Sequence, residues 1–342
     1  MAIKSPYPYF GGKSKIAKTV WQWFGDDIKN YIEQFVGSNA MLLARPNVNY
    51  DKLPKETIND KDGFVSNFWR CLAFGKAGDV ARHADWPVNE NDLHARHIWL
   101  VNQVSDFVPR LEADPEFCDS KIAGYWVWGM AAWIGSGFCS GNGPWRNVEG
   151  QLIHVGNNGQ GIKRKLIHVG SYGQGINRQR IHVGNRGTGQ GVNSHSVDIY
   201  DYMQALADRM RRVRVCSGDW KRVTGKSVTW THGHTAVFLD PPYADTAKRQ
   251  SDLYRIDCEK IAHDVREWAI SEGHNPLMRI ALCGYEGEHD MPDDWHALEW
   301  KAGKGFAGQN KKENNENQHK ERIWFSPHCV NPDKSEKQMS LL

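Results

Sequence analysis

The stretch TAVFLDPPYADT, Thr235 to Thr246, limits the fold more than any other part of the chain. Ala236 to Leu239 is a short apolar run without polar alternation, the pattern of a strand buried on both faces. The strand must stop after Asp240, because neither Pro241 nor Pro242 can donate to a ladder. A rigid corner, Asp240-Pro241-Pro242-Tyr243, is therefore expected at a strand's carboxyl end, where open α/β sheets place their ligands. Taken alone, the tetrapeptide is equally a Pro-Pro turn with an aspartate cap.

Two further segments favour the ligand site. SPYPYFGGKSKIA (5–17) leads into an amphipathic helix, and YIEQFVGSNAMLL (31–43) reads as a strand over Tyr31 to Phe35, a tight turn at Gly37-Ser38-Asn39 and a helix start. Such a strand, turn and helix bring backbone close to a nucleotide-like ligand. ETINDKDGFVSNFWRCL (56–72) then places Asp60 at the end of a second short strand, where an acidic side chain takes ribose hydroxyls. The expected class is α/β. At 342 residues the chain exceeds the usual single domain, so a large core with a smaller inserted region is expected.

In this order the motifs resemble those of the Dam-like adenine-N6 DNA methyltransferases, especially the phage and prophage type. F-G-G-K (Phe10 to Lys13) is similar to the family's A-G-G-K, Y-I-E-Q-F-V-G-S-N-A to its E-P-F-x-G-x-G, I-N-D-K to its acidic second motif, and D-P-P-Y to its catalytic motif. ALCGYEGEH (281–289) and ERIWFSPHC (321–329) resemble its closing strands. Two departures stand out: Gln34 replaces a proline and Asn39 a glycine, and asparagine tolerates the left-handed backbone such a turn requires. The resemblance implies a Rossmann-like S-adenosylmethionine-dependent core over 1–75 and 215–330, an inserted target-recognition region over 76–214, and a tail over 331–342. It implies a cofactor site of Tyr9, Phe10, Lys13, Phe35, Gly37, Ser38, Asp60 and Asp240, and a catalytic motif of Asp240, Pro241, Pro242 and Tyr243. DNA is the implied substrate. A cytosine-N4 or RNA methyltransferase uses much the same parts, and a DNA-binding or anti-restriction module that has lost turnover is the rival from another class.

The chemistry explains why these residue types are wanted. Adenine N6 is a poor nucleophile because its lone pair is delocalised into the ring. Two acceptors, the Asp240 carboxylate and the Pro241 carbonyl, aimed at its two N–H bonds return that density to nitrogen. Reaching the amine requires flipping the base, and Tyr243 offers a ring on which it can stack. No metal ligand set is required.

The inserted region holds a threefold repeat, IHVGNNGQGIKRKL, IHVGSYGQGINRQR and IHVGNRGTGQGVNS, within a Gly-rich basic stretch spanning 151–193. Each unit pairs a β-branched stretch with a Gly-rich turn, the pattern of short strands joined by tight turns. Lys163, Arg164, Lys165, Arg178, Arg180 and Arg186 lie there without an acidic residue, which favours phosphate contact; a solvated β-meander is the bland alternative. DIYDYMQALADRMRRV (198–213) reads as a helix with Ile199, Tyr202, Leu206, Met210 and Val213 on one face, returning the chain to the core.

The remaining signals are weaker. No apolar run approaches the roughly 18 residues of a membrane helix, and MAIKSPYPYF lacks the apolar segment of a signal peptide, so a cytoplasmic protein is expected. Seven cysteines with no C-x-x-C pair read as reduced packing residues. His94 and His97 sit at helical spacing without the glutamate of H-E-x-x-H and read as a solvated helix face. Asp219-Trp220 is either a simple turn or a neighbour of the cofactor's adenine. PDDWHALEWK (292–301) reads as an ordinary strand start, and the Gly-, Lys- and Asn-rich 302–320 as a loop.

Overall fold

The computed structural model describes residues 3–7, 9, 12–46, 55–133, 138–139, 145–148, 151–154, 198–242, 260–300 and 321–332. In chain order they form α1 (Ala17–Phe24), β1 (Asn30–Glu33), α2 (Ala40–Leu43), β2 (Lys55–Asp60), α3 (Gly63–Ala73), α4 (Ala77–Ala84), α5 (Glu90–Ala113) and α6 (Ser120–Ala132). A hairpin of β3 (Trp145–Val148) and β4 (Gln151–His154) follows, then α7 (Ile199–Met210), β5 (Val213–Ser217) and β6 (Thr235–Leu239). The chain closes with α8 (Ile261–Gly273), β7 (Met278–Tyr285), β8 (His296–Glu299) and β9 (Glu321–Phe325).

Seven strands make one α/β sheet in the order β5-β2-β1-β6-β7-β9-β8. The first five are parallel, and β9 runs antiparallel between β7 and β8. The winding leaves β1 in both directions, through β2 and β5 on one side and β6 and β7 on the other. The crevice beyond the carboxyl ends of β1 and β6 is thus the sheet's topological switch point. A dinucleotide-binding sheet orders its strands 3-2-1-4-5-6; this sheet departs from it by the reversed β9 inserted at one edge.

Both faces of the sheet are covered, so its central strands β1 and β6 are buried along their whole length. On one face Tyr31, Ile58, Phe238, Cys283 and Phe325 join the cluster built with α1, α3, α4, α6 and α7. On the other, Ile32, Val237, Leu239, Ile280, Leu282 and Trp324 pack with Trp220, Val265, Ala269 and Trp295. Neighbours along β6 alternate between the two clusters, as the pleat requires. The helices of 77–132 share the first cluster with the sheet. Their close approach is set by Gly124, where a Cβ would lie 2.4 Å from the Cβ of His83.

Capping marks several helix starts. Asp62, Asn89, Asp119 and Asp198 each accept a backbone N–H at the beginning of α3, α5, α6 and α7, an interaction typically worth about 1 kcal/mol. The amino-terminal end of the sheet is tied by a buried ion network. Arg209 donates to both Glu56 oxygens, at 2.7 and 2.9 Å, and Arg45 donates to the same carboxylate at 2.9 Å.

Three sequence expectations need correction. β1 spans Asn30–Glu33, because Gln34 and Phe35 already belong to the bend that follows. The helix ending the inserted region stops at Met210, and Val213 opens β5. His97 is not solvated: it is 3% exposed and stacks on Trp133 with ring centroids 5.1 Å apart. Burial first, and His94 second, push its pKa down to about 4, so the ring is neutral.

Candidate functional site

The turn after β1 is held from three sides. Val36 N–H donates to the Asn59 carbonyl at 3.0 Å, and Asn39 N–H closes the turn onto Val36 at 2.7 Å. Gly37 and Asn39 take φ of 43° and 58°, the left-handed region that glycine and asparagine tolerate. Glycine is required at 37 for space as well, since a Cβ there would stand 2.5 Å from Cε1 of Tyr9. The Gly37 carbonyl accepts the Tyr7 hydroxyl at 2.7 Å, and that hydroxyl accepts Trp69 Nε1–H at 3.0 Å. Asp60, ending β2, accepts Gly37 N–H on Oδ2 and Asp62 N–H on Oδ1, both at 2.9 Å. The acid therefore fastens the β1 turn to the end of β2, with the Lys61 N–H as a third backbone donor.

Asp240 follows β6 directly. Lys13, 3% exposed, reaches both its oxygens from the other end of the chain, with Nζ 2.9 Å from Oδ1 and 2.8 Å from Oδ2. The lysine is carried by the segment leading into α1: Gly12 N–H closes onto the Tyr9 carbonyl at 3.1 Å, and Ala17 N–H onto Lys13 O at 3.0 Å. Its ammonium lies 5.8 Å from the centroid of the Trp300 ring. Pro241 and Pro242 are buried.

More carboxyl groups meet here than cations. Glu33, 2% exposed at the end of β1, accepts the Tyr31 hydroxyl at 2.8 Å. Burial, with the charges of Asp240 and Asp60 added, pushes its pKa up to about 8. Burial and the charge of Asp62 push Asp60 up to about 7, against the pull of its backbone donors. Glu321, opening β9, is 6% exposed, and burial and Asp240 raise its pKa while Lys13 lowers it. Among the described residues several polar atoms at the same end of the sheet are buried without a hydrogen-bond partner: both amide atoms of Gln34, Oδ1 of Asn59, Oγ of Ser217 and Oε2 of Glu321. Unmet groups of this kind cost about 1–3 kcal/mol each, the signature of a place kept for a polar ligand or water.

No protein-family model matches the chain, and no curated protein matches it. What the site can do is decided by its geometry.

Of the residues singled out in the sequence, Tyr9, Lys13, Gly37, Ser38, Asp60, Asp240, Pro241 and Pro242 come together at the carboxyl ends of β1, β2 and β6. Phe35 adjoins them, 6.4 Å between ring centroids from Trp220, which brings the end of β5 to the same edge. Asp219 caps the short turn of Trp220 by accepting Lys221 N–H at 2.9 Å. Phe10, Tyr243, Lys163, Arg164, Lys165, Arg178, Arg180 and Arg186 lie outside the described residues, as do 302–320 and all of the repeat beyond His154. The opening Ile153-His154 of the first repeat unit pairs in β4 with Trp145-Arg146 of β3. Sequence reasoning missed Tyr7, Glu33, Trp300 and Glu321 as parts of the site. Glu33 had a signal, a carboxylate directly after the apolar pair Tyr31-Ile32; the others had none, because long-range pairing brings them in. Among the described residues no group of three or more His, Cys, Asp or Glu side chains forms a metal site, and no helix is long and apolar enough to cross a membrane.

Proposed function

We propose that the protein transfers a methyl group from S-adenosylmethionine to the exocyclic N6 amine of a flipped adenine in DNA, as a Dam-like adenine methyltransferase with a Rossmann-like core. The observation that carries this reading is the Asp240 carboxylate at the switch point, beside the β1 turn and Asp60, paired with Lys13 and crowded by Glu33 and Glu321, whose pKa values its charge raises. An anionic pyrophosphate suits such a setting poorly. A cationic ligand suits it well.

When bound, S-adenosylmethionine supplies a methyl group on a sulfonium centre, already activated toward a nitrogen nucleophile. The chain's own residues then have three tasks. Asp60 and the Gly37 turn present hydrogen-bonding groups where a ribose lies in nucleotide-binding halves. The carboxyl cluster favours positive charge near Asp240. Asp240 and the Pro241 carbonyl would accept the N6 hydrogens, drawing the lone pair out of the ring; as nitrogen bonds the methyl carbon the carbon–sulfur bond would break with its electron pair kept by sulfur, and the surplus proton on nitrogen would pass by way of the Asp240 carboxylate to water. The unmet amide of Gln34 and the unmet oxygens of Asn59 and Ser217 fit a polar ligand at this edge.

Tritium transfer from labelled S-adenosylmethionine to unmethylated duplex DNA tests the reading, with nucleoside analysis of the product. N6-methyladenine is expected. Asp240→Ala is expected to lose at least tenfold in rate, since one preorganised polar group contributes about 2.7–4 kcal/mol to the barrier. Label in N4-methylcytosine or in RNA alone would reassign the substrate. Binding to DNA without any transfer would return the chain to the silent binding module.

A further inference from the structure

We propose that Glu321 is a positioning residue, the second anchor onto which Lys13 moves when a substrate amine takes its place on Asp240. The catalytic consequence rests on the methyl-transfer reading; the movement of Lys13 does not.

Lys13 occupies both oxygens of Asp240. An amine N–H must share one of those oxygens with the ammonium, and a shared oxygen is the poorer acceptor, so a lysine that shifts away strengthens the contact the chemistry uses. With 3% exposure it cannot turn to water, and a buried ammonium stripped of a carboxylate is costly. Glu321 meets that need. It opens β9, its backbone carbonyl accepts the Trp300 N–H at 3.3 Å, and the Trp300 ring lies under the lysine ammonium. Its Oε2 is buried with no hydrogen-bond partner among the described residues. Lys13 and Asp240 are the two charges that act on it. Around it stand Lys13 from the amino-terminal segment, Asp240 from the end of β6, Cys283 and Tyr285 from β7, both of which feel its charge, and Trp300 after β8. Arg322 on the same strand donates from its guanidinium to the Glu321 backbone carbonyl and pairs with Glu286 and Glu299. The Glu321 carboxylate is thus a buried acceptor with an oxygen to spare, near the Lys13–Asp240 ion pair that a substrate amine would share.

A structure of Asp240→Ala tests the movement without reference to activity. Lys13 Nζ is expected within about 3.2 Å of Glu321 Oε2, the limit of an N–H···O bond. An ammonium held elsewhere, with Oε2 still unbonded, overturns the proposal. Single-turnover methyl transfer tests the consequence: Glu321→Gln should lose about a hundredfold in rate, the scale of a misplaced reacting group, while calorimetry finds unchanged S-adenosylmethionine affinity, and Glu321→Asp should recover part of the rate. A Gln variant at the wild-type rate, or one losing cofactor affinity in step with rate, overturns the positioning role. A wild-type protein that transfers no methyl group counts against the proposed function, and the Asp240→Ala structure still decides where Lys13 goes.

Discussion

Replacing Glu33 by Gln should make the protein more stable at neutral pH, and the gain should grow with pH. The carboxyl is buried, accepts the Tyr31 hydroxyl and a backbone N–H from Leu42, and faces Asp240 and Asp60. Its pKa is raised from 4.5 to about 8. Below pH 4.5 both the folded and the unfolded chain hold the proton, and Glu33 exerts no pH-dependent effect. Between 4.5 and about 8 the unfolded chain has lost it and the folded chain retains it, so stability falls as pH rises, by about 1.4 kcal/mol per pH unit. The loss is about 3 kcal/mol by pH 7 and about 5 kcal/mol once both values are passed. Glutamine has the shape of the protonated acid and does not titrate. Any fixed cost of its extra N–H is the same at every pH, and Asp60, which titrates in the same window, is present in both proteins, so both cancel in the slope. Urea unfolding of the two proteins at half-unit steps from pH 4.5 to 8 measures the difference directly. A difference that stays flat across that range would refute the assignment of a protonated Glu33.

Other perturbations follow from interactions already described. Gly37→Ala forces a Cβ against Tyr9 at a positive φ; it should cost about 1–2 kcal/mol in urea unfolding and weaken S-adenosylmethionine binding in calorimetry. Arg209→Ala leaves the buried Glu56 with Arg45 alone, and a loss of about 3 kcal/mol is expected, the low end for a broken buried pair. Neutralising Lys163, Arg164, Lys165, Arg178, Arg180 and Arg186 together should flatten the dependence of log K on log salt for duplex DNA by about 0.9 for each phosphate the protein no longer neutralises; an unchanged slope would leave the repeat without a DNA role.

How much of this was legible in the sequence depends on how local the cause is. The end of β6 is written in four apolar residues and two prolines, and the left-handed turn at 37–39 in a glycine and an asparagine, since both follow from steric rules within a few residues. Asp60 was legible as a strand-end acid, but not that its two oxygens fasten the neighbouring turn. The proton on Glu33 was out of reach, because it comes from burial and from Asp240 and Asp60, which only the sheet brings near. His97 was misread for the same reason: Trp133 and Phe138, which cover it, come from beyond α6. The place of β9 between β7 and β8, which delivers Glu321 to Lys13, is a pairing choice that no periodicity reveals.

That strand order also dictates a timetable. Among the described residues β8 has no partner other than β9, so on a ribosome it emerges before the strand it pairs with, and β7 waits with an open edge. At roughly 5–20 residues per second the chain from Glu299 to Phe325 takes about one to five seconds to appear, and only then is the edge closed and Glu321 delivered. Through that interval the long apolar β7 is a bare template for another chain's strand. A message that breaks off between these two points would release a protein with the Asp240 corner made, its lysine in place, and its most adhesive strand exposed. β9 is thus both the closing piece of the sheet and its guard against aggregation.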